Sequence, residues 1–395
     1  MRRVRIPRYS ISIAAVVVAT VTTTTPVIAA EDPVELPPVR GILQKDEDCS
    51  KPSTTVAEAK PWTRSAMDLG RSWRLSRGDG VLVAVVDTGV DKSAPALAGR
   101  VDSVGDAATD CVGHGSFAAG LIAAAPQPGT GVVGIAPKAR VLAVRGTDKK
   151  GYTSGESLSA AIRTAADRKA KVIFVGRASL DARDALTKAV AYAMERDALV
   201  VAPAAPDIAP EDSKSGQPDL TPRPYFPAFI PQVLSVVDYG PQGGRPKSAP
   251  GAFAPDLSAP GDSVVSVGPG GEGHFIGSGS SLAAANVAGA AALVRARYPE
   301  LSAAQTADRL EHSAYPSDVP RLDLYASLSS VGGEGRDAAR QDKAVHVRLP
   351  EPQSQAPRNR AVVVAAGAVA LVVLVIAAMA IVPRGRRRSW RIPGR

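Results

Sequence analysis

From Trp62 to about Ser329, short β-branched runs alternate with alanine-rich amphipathic segments, and this alternation leaves few folds open to the chain. The runs 81–86, 141–144, 172–175, 198–202 and 233–237 are almost wholly apolar and rich in valine. Strands wetted on one face alternate apolar and polar residues, whereas strands buried on both faces do not. Between the runs, segments 155–169 and 182–196 space their apolar residues at the helical period. The pattern predicts one α/β domain over 62–330, with a doubly wound, mostly parallel sheet flanked by helices. No internal repeat interrupts it.

The ends read differently. Residues 1–30 pass from Arg2, Arg3, Arg5 and Arg8 through an apolar run to Val27-Ile28-Ala29-Ala30. This is the plan of a signal peptide, with an uncleaved anchor as the alternative. Residues 31–61 are Pro-rich and mixed in charge, which reads as an extended arm, and the polar stretch 331–360 reads as a flexible linker. Residues 361–382 carry no charge and are long enough to cross a bilayer as one transmembrane helix. Six arginines follow within 383–395, so the positive-inside rule puts this tail in the cytoplasm and the preceding domain outside. The chain's net charge is +9, but the two ends hold ten arginines and no acid, which leaves −1 for the remainder. The basic balance therefore reports targeting and topology and does not point to nucleic acid. Cys49 and Cys111 are the only cysteines, both in the exported part. In an oxidising compartment such a pair predicts one disulfide, with two free thiols as the alternative.

Three local patterns carry candidate chemistry. The run Val81 to Val86 delivers Asp87 at its carboxyl end, where open α/β sheets place their ligands. His114 stands between Gly113 and Gly115 at the mouth of an alanine-rich helical run. His274, His312 and His346 lack that setting, and His274, seven residues before Ser281, reads as an exposed loop residue. Ser281 follows Gly277-Ser-Gly-Ser and opens a long small-residue helix. Alone it could be a helix cap; at the positive end of a helix dipole it could also be a nucleophile. Together, Asp87, His114 and Ser281 stand in the chain order Asp, His, Ser, which one of the known serine-protease triads uses. No metal cluster or cofactor motif is legible.

The stretches Val83-Ala-Val-Val-Asp-Thr-Gly-Val, Gly113-His-Gly-Ser, Gly134-Ile-Ala-Pro-Lys-Ala and Gly279-Ser-Ser-Leu-Ala-Ala-Ala-Asn-Val-Ala-Gly resemble the successive signatures of the subtilisin family. Pro61-Trp62, the stretch Trp73 to Gly80, Cys111, Ala292-Leu-Val-Arg-Ala-Arg-Tyr-Pro-Glu-Leu and the single C-terminal span resemble the mycosins. These are membrane-anchored proteases of bacterial type VII secretion systems. The likeness spans residues 45–385. It implies an extracytoplasmic serine endopeptidase, an exported protein or peptide as substrate, one membrane span, and secretion-channel components as partners.

The departures from the family matter as well. Ser116 and Ser280 stand where threonine is usual, and Ala285 replaces a usual proline. The substrate-lining strand, commonly Asn-Met-Ser-Leu-Gly, here reads Phe174-Val-Gly-Arg-Ala. The strand that normally ends in Gly-Asn, whose amide forms half of the oxyanion hole, reads Val200-Val-Ala-Pro-Ala-Ala-Pro206-Asp207. Ala205-Pro206 is taken as standing in the Gly-Asn positions. Asn286 and Asn359 are the only asparagines; Asn286 lies five residues beyond Ser281 on the same helix and points away. A neighbouring group such as a protonated Asp207 is left as a substitute donor. The alternative to an active enzyme is a degenerate homologue kept as a structural part of a secretion complex.

Overall fold

A computed structural model describes residues 34–212, 215–330, 365–372, 374–375 and 379. The predicted signal peptide, linker and basic tail lie outside these residues, as does part of the predicted span. Those residues of 361–382 that are described are helical, and their side chains are exposed. Among the described residues, no helix is long and apolar enough to cross a membrane. They belong to a compact unit separate from the one that ends at Val331.

Seven strands form one sheet: β1 (Leu82–Asp87), β2 (Val101–Ser103), β3 (Arg140–Arg145), β4 (Val172–Val175), β5 (Leu199–Pro203), β6 (Val233–Tyr239) and β7 (Leu257–Pro260). Their order is β2-β3-β1-β4-β5-β6-β7, and every neighbouring pair is parallel. The chain winds from β1 to one side through β2 and β3, then returns to β4 and winds to the other. The carboxyl ends of β1 and β4 therefore border the switch point, where open α/β sheets hold their ligands.

Side chains of β1 alternate between two cores. Val83 and Val85 face α3 (His114–Ala123) and α6 (Ser280–Arg297), while Ala84 and Val86 face α4 (Gly155–Asp167) and α5 (Arg183–Glu195). Helix α6 is buried from Ser280 to Arg295 and carries no polar stripe, as a central helix must. Its small residues allow close packing, with Gly289 lying against Ile135. An antiparallel hairpin, β8 (Val264–Val267) and β9 (His274–Gly277), packs beside α3, where Ser266 donates to the Phe117 carbonyl at 2.8 Å.

Over the described residues 34–61 the N-terminal arm forms no helix and is held along its length. Val39 donates to Ile276 and Leu43 to Lys150, and the Thr55 carbonyl accepts from the His274 N–H. Cys49 and Cys111 form the expected disulfide, which ties the arm to the loop before α3. His274 is a correction to the sequence reading. It is 2% exposed, opens β9, and its Nδ1 accepts from the Ala57 N–H at 3.1 Å. The glycines of 268–273 give the segment a loop's texture, but the arm, more than two hundred residues away in sequence, covers it.

Candidate active site

Asp87 ends β1 and is fully buried. Its Oδ1 accepts the Thr88 N–H at 2.7 Å, and its Oδ2 lies 2.8 Å from His114 Nδ1. An Arg177 guanidinium nitrogen stands 3.4 Å from Oδ1, just past the end of β4. Burial pushes this carboxyl up, but the His114 and Arg177 charges and the hydrogen bonds outweigh it and hold the pKa at about 2. Asp87 is thus an anion at any working pH. The glycine at 176 has a steric cause: a Cβ there would fall 1.8 Å from Asp87 Oδ2.

His114 is the first residue of α3, and the glycines beside it do separate jobs. Gly113 has φ +99°, a left-handed turn that favours glycine, and Gly115 packs so closely that a Cβ would lie 2.0 Å from the Gly89 carbonyl oxygen. A buried carboxylate, Asp110, organises this turn. It accepts from the Gly113 N–H and from the Ser116 N–H and hydroxyl, each at 2.8 Å, and from the Thr88 hydroxyl at 2.8 Å. Ser116 thus keeps the hydroxyl of the usual threonine.

Ser281 lies in the first turn of α6, and its Oγ is 3.1 Å from His114 Nε2. The fold therefore brings together all three residues singled out from the sequence. Ser280, beside it, donates to Asp238 at 2.7 Å, and Asn286 donates to the Pro260 carbonyl at 2.9 Å, away from the site.

The sequence reading of the oxyanion region needs correction. The side chain that reaches Ser281 belongs to Asp207, one residue beyond Ala205-Pro206. Asp207 Oδ1 accepts the Ser281 N–H at 2.9 Å, and its Oδ2 accepts from Ser281 Oγ at 2.5 Å and lies 3.1 Å from His114 Nε2. It crosses directly over Gly279, where a Cβ would meet Oδ1 at 2.1 Å. Burial lowers the affinity of His114 for a proton. The Asp87 charge and the ring's hydrogen bonds to Asp207 and Asp87 overcome both burial and the opposing Arg177 charge, raising the pKa to about 9. This arrangement favours the protonated ring.

Asp110 and the role of Arg177, noted only within the altered stretch 174–178, also escape the sequence reading. Arg177 donates to the Gly41 carbonyl at 2.8 Å and stands 3.4 Å from Asp87, so it links the arm to Asp87. Asp110 carried a faint signal: an acid three residues before the glycine that turns into a helix. Among the described residues, no group of three or more His, Cys, Asp or Glu side chains is placed to hold a metal ion.

The peptidase S8 model, that of the subtilase family, matches residues 78–348. Mycosin-3 of Mycobacterium tuberculosis is 35% identical over 395 aligned residues, which cover 82% of this chain and 84% of that protein. The crystal structure of MycP1 from Mycobacterium smegmatis is similar with a TM-score of 0.63 at 25% identity, over 81% of this chain and 96% of that one. A chain in the periplasmic assembly from the ESX-5 inner membrane complex is similar with a TM-score of 0.64 at 27% identity, over 82% and 97% respectively. Fold, sequence and relatives agree over most of the molecule: the chain belongs to the subtilase family and is a serine endopeptidase.

Proposed function

We propose that the chain is an extracytoplasmic endopeptidase that works at a type VII secretion complex, with Asp87, His114 and Ser281 as its triad. The observation that carries this reading is the position of His114, whose two ring nitrogens are 2.8 Å from Asp87 and 3.1 Å from Ser281 Oγ. Neutral His114 takes the Oγ proton at Nε2 as Oγ attacks the peptide carbonyl, and Asp87 holds the Nδ1–H and stabilises the imidazolium that forms. The proton then passes to the leaving amine, and the C–N bond breaks to leave an acyl-enzyme. Water, activated by the same imidazole, releases the acyl group.

Exported proteins are the proposed substrates. A signal peptide over 1–30, an uncharged stretch over 361–382 and the arginines after it support a chain anchored by one span with its catalytic domain outside. The similarity to mycosin-3 and to a chain of the ESX-5 periplasmic assembly supports a place beside the secretion channel. A purely structural role is not favoured, because the three reacting groups stand within hydrogen-bonding distance of one another. The test compares the N-termini of exported proteins in cells carrying the native chain or Ser281→Ala. At least one N-terminus should disappear in the variant; identical sets in both would sink the proposal.

A further inference from the structure

We propose that Asp207 is a catalytic residue of this peptidase: in its protonated form, its carboxyl O–H is the side-chain donor to the oxyanion, and the proton it uses is shared with His114. The inference rests on the endopeptidase reading of the preceding section. A tetrahedral intermediate needs hydrogen-bond donors facing its oxygen. The Ser281 N–H is one. Asp207 reaches that same N–H, whereas Asn286 is committed to the Pro260 carbonyl. A carboxylate can only accept hydrogen bonds; a carboxylic acid can donate one.

The geometry supplies the proton. Asp207 Oδ2 is 3.1 Å from His114 Nε2, and Ser281 Oγ touches both groups. Four charged groups meet here: Asp87 from β1, His114 from α3, Arg177 from the end of β4, and Asp207 from the segment after β5. Ser281 adds the positive end of the α6 dipole. With His114 protonated and Asp207 ionised, the four charges cancel, and moving one proton from Nε2 to Oδ2 leaves their sum at zero. The transfer produces what the reaction needs, a neutral imidazole beside Oγ and a carboxylic acid in the oxyanion pocket.

The step balances. Ser281 turns its O–H from Oδ2 to Nε2, and an entering carbonyl oxygen takes over the Ser281 N–H that now bonds Oδ1. Oγ attacks the carbonyl carbon, the Oγ proton goes to Nε2, and the new oxyanion accepts from the Ser281 N–H and the Asp207 O–H. On collapse the imidazolium proton leaves with the amine, while the Asp207 proton stays.

The active pair thus holds one proton between His114 Nε2 and Asp207 Oδ2. An ordinary triad gains activity as its histidine loses a proton and keeps it at higher pH. This pair should lose activity as its shared proton departs, near the His114 value of about 9.

The probe is a fluorophosphonate: Ser281 Oγ bonds to its phosphorus, fluoride leaves into solvent, the Oγ proton passes to His114, and the P=O oxygen enters the same pocket. Rates of Ser281 labelling are measured from pH 5 to 10 in the full chain, in Asp207→Asn and in Asp207→Ala, after subtracting the Ser281→Ala background. Thermal melts establish that each variant is folded. The native rate should fall about tenfold between pH 8 and 10. Asp207→Asn, which donates at any pH, should show no fall. Asp207→Ala should be slower than Asp207→Asn by about 10² to 10³ at pH 7. A native rate still level or rising at pH 10, or Asp207→Ala labelling as fast as Asp207→Asn, would overturn the proposal. Labelling of Asp207→Asn but not of the native chain would make Asp207 a plug and leave the protease reading standing. No labelling of any form would remove both.

Discussion

His114 and His274 are both 2% exposed, both sit at the start of a secondary-structure element, and only one is built for chemistry. His114 lies between two carboxylates, which raise its proton affinity above the ordinary value despite burial. His274 meets the Ala57 N–H and the hydroxyl of Thr130, and burial alone lowers its proton affinity. Burial thus acts on both rings in one direction, and charged partners decide the outcome. The difference also reverses the pH dependence of stability. His114, raised from 6.5 to about 9, contributes stability that is complete below pH 6.5 and is lost as pH rises to 9. His274, lowered from 6.5, contributes stability that is complete above pH 6.5 and is lost as pH falls.

The largest break in this contrast comes from Asp87→Asn, which removes the anion that holds the Nδ1–H of His114. Turnover of a peptide substrate should fall by on the order of 10⁴ with the fold intact; a loss of less than tenfold would deny Asp87 its orienting role.

Next comes the staple beside His114. Replacing Cys49 and Cys111 together with serine frees a loop of about sixty residues and should cost about 4 kcal/mol. Calorimetry should show the melting temperature falling by about 6 °C. An unchanged melting temperature would mean that the arm's backbone bonds hold it without the bridge.

The smallest effect belongs to His274. Its change to alanine leaves the Ala57 N–H without its partner and should cost about 1–3 kcal/mol. The Ser281 labelling rate should stay within about threefold of native. The stability gap between the two forms should narrow as pH falls below 6.5, because protonated Nδ1 can no longer accept. A gap that widens on acidification would reverse the assignment.

Much of the site is legible in the sequence because it rests on local constraints. An apolar run ending in Asp87, glycines about His114 and a glycine-rich turn into a small-residue helix at Ser281 each declare themselves within ten residues. What is not legible depends on chain segments that meet only after folding. Asp207 reaches Ser281 because Gly279 leaves room for its carboxylate, and a reading by motif position placed the gap one residue early, at Ala205-Pro206. Arg177 acquires its role from Gly41 and Asp87, both distant in sequence. The burial of His274 is illegible for the same reason, since its cover comes from the arm. Ser116 and Ser280, conspicuous as departures, prove mild: each keeps a hydroxyl bonded to a buried carboxylate.

The central claim is that Ser281 is a nucleophile made reactive by His114. Mass spectrometry of the fluorophosphonate-treated chain tests it directly. The account predicts one adduct, on the peptide that contains Ser281, absent from Ser281→Ala and reduced at least a hundredfold in rate in His114→Ala. A chain that carries no adduct on Ser281, or one that labels equally well without His114, would contradict it.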